Sequence, residues 1–180
     1  MPQDGPLPML KTERLLLRPF ALADAPRVQL LAGDPRIADT TMAIPHPYLD
    51  GMAEEWISQH DALWRDRDHA VWAICTRDAT LVGAINIAAN LRDGRAWLGY
   101  WIGHAYWNNG YCSEAGRAVM EFGYGYLGLH RIFAEHLLRN PASGRVMKNL
   151  GMRQEGILRG HVKKNGVHED LVSWGRLRTD

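Results

Sequence analysis

The sequence has little cysteine, no long hydrophobic run and no excess of either charge. Its two cysteines, Cys75 and Cys112, form no CxxC pair, and Cys75 ends the apolar run AVWAIC, which is typical of a buried small side chain. The even count permits a disulfide without indicating one. We therefore expect a reduced, cytoplasmic setting.

Three classes of protein are disfavoured by these absences. No apolar run approaches the ~20 residues that a membrane-spanning helix needs. The start MPQDGPLPML lacks the basic and apolar regions of a signal peptide. With 21 basic and 20 acidic side chains the net charge is +1, whereas a general nucleic-acid binder needs a basic face that displaces counterions. We expect no membrane and no nucleic acid among the partners.

The composition that is present indicates a folded chain. Of 180 residues, 46% are apolar and 23% are charged, which supports a sizeable core and argues against disorder. The length fits one domain. We expect residues 1–10 to be a flexible N-terminal lead and residues 11–180 to form a single domain.

Periodicity and turn residues predict the element order β-α-α-β-β-β-α-β-α-β-β, an α/β or α+β sheet with helices laid on it. A proline-broken loop over 39–50 separates the first two helices, and Asn165-Gly166 is a strong hairpin signal. Strands are predicted at 12–20, 69–77, 80–89, 95–104, 130–138 and on both sides of that hairpin. Helices are predicted at 21–34, at 51–68, from the loop that contains Ser113 to about 127, and at 140–151.

The stretch YWNNGYCSEA, which begins at Tyr106, combines a glycine-bearing loop with a helix start. The first N–H groups of a helix have no intrahelical partner and attract anions, so the loop needs no Lys or Arg to bind one. Asn108, Asn109 and Gly110 tolerate a tight backbone, and Ser113 is expected to cap the helix. Taken alone, this string slightly favours the alternative, a capped helix after an ordinary turn. The loop matches neither GxGxxG nor GxxxxGK[ST].

About thirty residues on, NPASGRVMKNLG places Asn140 and Ser143 three apart at the end of a strand and the start of a helix. With this segment the chain resembles the GNAT superfamily of N-acetyltransferases, in the branch of the ribosomal-protein N-terminal acetyltransferases RimJ and RimL. The segments TERLLLRPF, LGYWIGHAYWNNGYCSEA, NPASGRVMKNLGM and EGILRGHVKKNGVHEDLV carry the resemblance, in the family's order. It implies a mixed, mostly antiparallel sheet of about seven strands, splayed in the middle and flanked by about four helices.

The resemblance also implies acetyl-CoA as the acetyl donor and a primary amine as the acceptor. Asn140 would meet the thioester region, and Ser143 would give a proton to the leaving CoA thiolate. Arg145 and Lys148 lie on one helix face and would contact CoA phosphates, although a solvated basic face is an equal alternative. The complete set expected to bind CoA is Trp101, Ile102, Gly103, Asn108, Asn109, Gly110, Tyr111, Cys112, Ser113, Asn140, Arg145 and Lys148.

Two positions depart from the family pattern. Trp97 stands where many members of the branch have a glutamate that acts as general base, and Cys112 stands where the loop has glycine or alanine. An acetyl-cysteine intermediate is a minor alternative to direct transfer. The substitute base is open among His104, Glu135, His136 and His161, while Glu155 and Asp170 have structural explanations as well.

The acceptor is expected at a pocket that contains Tyr48 and Trp97, with Trp56 as a further candidate, unless these are only packing residues. The α-amine of a protein N-terminus is the first choice; a small amine such as a polyamine, an amino sugar or an amino acid is the alternative. A peptide predicts an open groove between the 39–50 loop and the C-terminal hairpin, and a small amine predicts a closed pocket with a carboxylate. A non-catalytic acyl-CoA sensor is a further alternative. No metal site is predicted, and a homodimer is left open.

Overall fold

The strands of the protein form one sheet, seen in a computed structural model that describes residues 5–67 and 69–180. Within these residues the sheet has eight strands in the order β1-β2-β3-β4-β5-β6-β8-β7. Among the described pairings only β5 and β6 run parallel. The strands are β1 Leu10–Lys11, β2 Leu15–Pro19, β3 His69–Thr76, β4 Leu81–Asn90, β5 Arg95–Ile102, β6 Arg131–Leu137, β7 Arg153–Lys164 and β8 Val167–Leu177.

Helices cover both faces of the sheet, which is why β3 is buried along nearly its whole length. On one face α5 and α6 pack on Leu98 and Ile132, and on the other α1 and α3 pack on Ala73 and Cys75. None of the described helices combines the length and apolar character that crossing a membrane requires. The α-helices of the described residues are α1 Ala25–Ala32, α2 Pro35–Thr40, α3 Met52–Ser58, α4 His60–Arg67, α5 Tyr111–Gly125 and α6 Pro141–Asn149.

Two helical boundaries differ from the prediction. The helix expected over 51–68 is two helices that meet at Gln59, and residue 68 lies outside the described residues. Residues 35–40, which partly overlap the predicted loop, form the short helix α2. Its start is fixed locally, because the Asp34 side chain accepts a hydrogen bond from Arg36 N at 2.9 Å and Pro35 occupies the first helical position.

The segment predicted to be a flexible lead is placed against the core where the structure describes it. Trp64 Nε1 donates to the Gly5 carbonyl at 3.1 Å, and Trp72 Nε1 donates to the Pro8 carbonyl at 2.8 Å. Leu10 then pairs with Leu17 as part of β1. The two indoles thus gain partners for N–H groups that burial would otherwise leave unsatisfied. Residues 1–4 lie outside the described residues.

The sheet is splayed in the middle, as predicted. The parallel pairing of β5 with β6 covers only three residues on each strand, ending at Trp97 and Phe133. Beyond that point β5 still pairs with β4 as far as Ile102, and β6 still pairs with β8 as far as Leu137. The facing edges of β5 and β6 therefore diverge into a gap. The prediction of a mixed, mostly antiparallel GNAT sheet is confirmed, with eight described strands instead of about seven and six described α-helices instead of about four.

Candidate active site

Two cavities flank the gap between β5 and β6 and share part of their walls. One, here called the loop cavity, has a volume of about 350 Å³ and reaches the start of α5. The other, the aromatic cavity, has a volume of about 460 Å³ and extends under α3 and the 39–50 loop. The residues that line both are Thr40, Thr41, Tyr100, Trp101 and Ser143.

The loop before α5 has the backbone of an anion-binding turn. Asn108 and Gly110 both have left-handed φ angles, 63° and 75°, which is the conformation their residue types tolerate. Gly110 is the N-cap of α5, and no side chain caps the helix. The prediction that Ser113 is the cap is therefore wrong; Ser113 lies buried in the first turn. The first N–H groups of α5 have no intrahelical partner and lie at the positive end of the helix dipole, which attracts anions.

Arg14 supplies a positive charge that the loop sequence lacks. Its Nη1 donates to the Asn109 carbonyl at 3.0 Å, and its guanidinium lies 5.1 Å from the centre of the Tyr111 ring. Its Nε also pairs with Glu114 Oε2 at 2.7 Å. Burial acts to raise the pKa of Glu114, but hydrogen bonds from Thr12 and Arg14 hold that pKa below its usual value. Sequence reasoning missed Arg14, although it lies in the TERLLLRPF segment.

Several expected cofactor residues line the loop cavity, and three do not. Gly103, Asn109 and Lys148 are absent from the described lining. A side chain at Gly103 would meet Leu31 Cδ2 at 2.8 Å, so packing explains this glycine. Asn109 Nδ2 donates to the carbonyls of Tyr106 and Trp107, both at 3.1 Å, and so shapes the loop. The expected residues in the lining are Trp101, Ile102, Asn108, Gly110, Tyr111, Cys112, Ser113, Asn140 and Arg145.

Asn140 and Ser143 meet at the start of α6, as predicted. Asn140 is the N-cap, with Oδ1 accepting from Ser143 N at 3.4 Å and Nδ2 donating to the Thr40 carbonyl at 3.1 Å. Ser143 Oγ lies 2.8 Å from the hydroxyl of Tyr100, which is also 3.2 Å from the Ser143 carbonyl. Burial raises the pKa of the Tyr100 hydroxyl far above its usual value, so Tyr100 stays protonated. Tyr100 was also missed from the sequence.

Trp97 and Tyr48 line the aromatic cavity together, as does Trp56. Gly99 makes room for the indole: a Cβ at Gly99 would lie 2.5 Å from two ring atoms of Trp97 and 2.6 Å from Asn86 Oδ1. The Trp97 ring thus lies across the middle of β5, over a backbone position that only glycine leaves free.

Of the four candidate bases, the described lining of the aromatic cavity contains only Glu135 and His136. His136 Nδ1 lies 2.8 Å from the Leu137 carbonyl, and a Cβ at Gly144 would meet its Nε2 at 2.8 Å, so the buried ring is packed under α6. His104 instead contacts Arg36 Nη1 at 3.1 Å, and His161 lies exposed on β7. Glu135 is the half-buried carboxylate in the cavity wall.

The two other acidic candidates have structural partners. Glu155 Oε1 accepts from Arg131 Nη1 at 2.6 Å, and Asp170 Oδ1 accepts from Gly160 N at 2.7 Å. The Cys112 thiol lies in the wall of the loop cavity. Burial raises the pKa of this thiol far above its usual value. A protonated thiol is a poor nucleophile.

A splayed mixed sheet, with a helix N-terminus on one side of the gap and a serine–tyrosine pair within it, defines the architecture of acyl-CoA-dependent N-acyltransferases. The acetyltransferase (GNAT) domain family matches residues 14–153. The uncharacterized N-acetyltransferase YoaA of Bacillus subtilis (strain 168) is 31% identical over 165 residues, which cover 91% of this chain and 93% of YoaA.

Solved structures show the same fold at lower identity. RimL, the ribosomal L7/L12 α-N-protein acetyltransferase with coenzyme A, superposes with a TM-score of 0.86 at 16% identity, covering 94% of this chain and 98% of RimL. The spermidine N-acetyltransferase from Vibrio cholerae with CoA and spermine gives 0.80 at 18% identity, covering 93% and 98%. The chain belongs to the GNAT acetyltransferase domain family, and it is an acetyl-CoA-dependent N-acetyltransferase. Membership of this family favours an enzyme over a non-catalytic acyl-CoA sensor.

Proposed function

We propose that the chain transfers the acetyl group of acetyl-CoA directly to a primary amine at the junction of the two cavities. The observation that carries the proposal is the pair Tyr100–Ser143, which joins β5 to α6 at the wall common to both cavities. Acetyl-CoA supplies an activated acetyl thioester. The loop cavity then serves the donor and the aromatic cavity serves the acceptor.

The donor's diphosphate is assigned to the loop from Asn108 to Ser113. The unpartnered N–H groups at the start of α5 and the open space above Gly110 fit an anion, because a Cβ there would meet only Arg14 Nη2, at 3.5 Å. Arg145 lines this cavity, and Arg14 lies beside Gly110, where its charge is paired with Glu114. A loop without Lys or Arg can thus bind an anion mainly through its backbone amides, with the Arg145 guanidinium nearby.

The remainder of the donor is assigned to the gap beside β5. There the strand edge at Trp101 and Ile102 has no described partner on the β6 side, so its backbone can bind an extended amide-bearing chain. Asn140 acts as a positioning residue in this proposal, because its side chain is used to cap α6 and to hold Thr40.

Ser143 is proposed to protonate the leaving thiolate. Its Oγ lies within hydrogen-bond distance of a tyrosine hydroxyl whose raised pKa keeps it a donor. Because Tyr100 keeps its proton, its hydroxyl orients the serine, and Ser143 regains its proton from water after transfer. The proposed proton source, Ser143 with Tyr100, thus lies in the wall that the proposed donor and acceptor cavities share.

The amine must reach the thioester in its neutral form. A peptide-like α-amine has a pKa of about 7.7–8.0 and a lysine-like amine about 10.4, so the former needs little help at neutral pH. With Trp97 at the usual position of the base, Glu135 is the carboxylate proposed to take the proton, directly or through water. Because the Cys112 thiol is protonated, transfer proceeds without an acetyl-cysteine.

Two classes of primary amine are candidates for the acceptor. The resemblance to RimJ and RimL favours the α-amine of a protein N-terminus. The presence of Glu55 and Glu135 in the aromatic cavity favours a small cationic amine held beside a carboxylate.

The test is acetyl-CoA-dependent release of free thiol with a panel of peptides and small amines, with mass spectrometry of the product. We expect N-acetylated product and a large loss of kcat in Ser143→Ala. Tight CoA binding with no turnover on any amine would contradict the proposal.

A further inference from the structure

Two ion pairs bridge the 39–50 loop and the C-terminal hairpin, the two segments between which a peptide acceptor is expected to bind. Arg139, in the turn between β6 and α6, donates from Nη1 to Asp39 Oδ1 at 3.0 Å and from Nε to Glu169 Oε2 at 2.6 Å. Asp39 ends α2 and Glu169 lies on β8, so one guanidinium joins the start of the 39–50 loop to the C-terminal hairpin. This trio of Arg139, Asp39 and Glu169 is here called the strap.

The strap lies at the edge of the cavity. Asp39 directly precedes Thr40, which lines the cavity, and Arg139 follows two residues after Leu137, which also lines it. Asn140, the residue after Arg139, also binds the 39–50 loop, because its Nδ2 donates a hydrogen bond to the Thr40 carbonyl. No described residue of β7 or β8 belongs to the cavity wall. The groove that a protein N-terminus would need between the loop and the hairpin is therefore bridged.

The cavity wall itself is aromatic. A volume of about 460 Å³ lies within the ~300–1,000 Å³ range of small-molecule sites. Rings on the loop, α3 and β5 line the space, and the absence of a side chain at Gly99 leaves room for the Trp97 indole. Such a wall favours a planar apolar body and offers its faces to a cation. The aromatic residues in the wall are Tyr48, Trp56, Trp97, Tyr100 and Trp101.

The charge of the wall has one sign. Its described charged side chains are the carboxylates Glu55 and Glu135, and no Lys or Arg is among the described lining residues. Burial lowers the pKa of His69, so its ring is neutral at physiological pH. A carboxylate or phosphate next to the amine would have no cationic partner here. A polyamine would have to desolvate several ammonium groups against rings.

We infer that the acceptor is a compact primary amine with an aromatic body and no anionic group next to the amine, as in an aromatic amino acid amide. This rests on the proposed acetyl transfer and names its substrate class. An α-amine beside a carbonyl also has a pKa low enough to react without the glutamate that Trp97 replaces.

The first experiment compares kcat/KM for five acceptors. Phenylalaninamide is the probe; alaninamide lacks the ring, phenylalanine adds a carboxylate, spermidine adds charges, and a hexapeptide amide beginning with Phe adds length. We expect phenylalaninamide to exceed each of the others by at least about ten-fold, a difference of about 1.4 kcal/mol. A hexapeptide or spermidine that matches phenylalaninamide overturns the inference and leaves acetyl transfer standing. Absence of turnover on every amine overturns the proposed function itself.

The second experiment opens the strap. Arg139→Gln should raise the ratio of kcat/KM for the hexapeptide to that for phenylalaninamide by several-fold. Arg153→Gln is the matched control, because it breaks an exposed ion pair with Asp180, at 3.0 Å, outside the cavity. An unchanged ratio in a folded Arg139→Gln enzyme contradicts the strap's role. Trp97→Ala should remove the preference for phenylalaninamide over alaninamide, and a preserved preference would contradict the role of the ring.

Discussion

The anion-binding role of the α5 start is tested most directly by a carboxylate at Gly110. The residue has φ 75° and caps α5 without a side chain, and a Cβ there lies 3.5 Å from Arg14 Nη2. Asn and Asp tolerate left-handed φ and are equally good N-caps. Gly110→Asp and Gly110→Asn should therefore fold alike and differ only in charge.

The magnitude follows from electrostatics. Two like charges about 6 Å apart repel by about 3 kcal/mol at an effective dielectric constant near 20, and exposure and salt reduce this to roughly 1.4–2 kcal/mol. The new carboxylate would also compete with Glu114 for Arg14 and occupy the N–H groups of the first turn. We expect Gly110→Asp to bind CoA ten- to thirty-fold more weakly than Gly110→Asn, to an order of magnitude.

Isothermal titration of CoA at 0.1 M and 0.5 M salt measures the difference. The gap between the two variants should shrink at high salt, because exposed charges are screened. Thermal unfolding of both variants checks that the fold is intact. Equal affinities of Gly110→Asp and Gly110→Asn would refute the placement of the diphosphate at this loop.

Three further outcomes are expected. Tyr100→Phe should lower kcat roughly ten-fold with little change in KM for acetyl-CoA, since one hydrogen bond to Ser143 is lost. Tyr100→Phe should add little in the Ser143→Ala background, and full additivity of the two substitutions would contradict the pairing. Cys112→Ser should keep kcat near that of the wild type, whereas loss of activity would indicate an acetyl-cysteine. Burial lowers the pKa of His60 to about 4, whereas a histidine of the unfolded chain has a pKa near 6.5. Between pH 7 and pH 5 the unfolded chain therefore gains a proton that the folded chain does not, and the free energy of unfolding should fall by about 2 kcal/mol. Urea titrations should show a smaller fall in His60→Leu, and an equal fall in that variant would contradict the prediction.

Local rules in the sequence determined the shape of the turns. Asn108 and Gly110 adopt the left-handed conformations that their residue types allow, and Asn165 and Gly166 do so in the hairpin turn. Asn140 caps α6 by the same short-range logic that makes asparagine a good N-cap. These features depend on neighbours within a few residues, so the sequence predicts them.

Helix boundaries were less predictable, because they depend on packing as well as pattern. The periodic run over 51–68 is interrupted at Gln59, where Trp56 and His60 then meet at a ring-centre distance of 4.5 Å on the two sides of the break. The cap of α5 shows a related limit: Ser113 has a side chain suited to capping, but the N-cap lies three residues earlier, at Gly110.

The tertiary structure alone decided which charged and hydroxyl groups meet around the cavities. Arg14 reaches the carbonyl of Asn109 across 95 positions of sequence, and Arg139 reaches Asp39 across 100. Tyr100 reaches Ser143 only because β5 and α6 lie on opposite sides of the splayed gap. The sequence thus determined the conformation of the loop before α5 and the family to which the chain belongs. The packing of distant strands and helices decided the contact of Tyr100 with Ser143, the position of Arg14 beside the loop and the ion pair of Arg139 with Asp39, because no local pattern encodes contacts between residues so far apart.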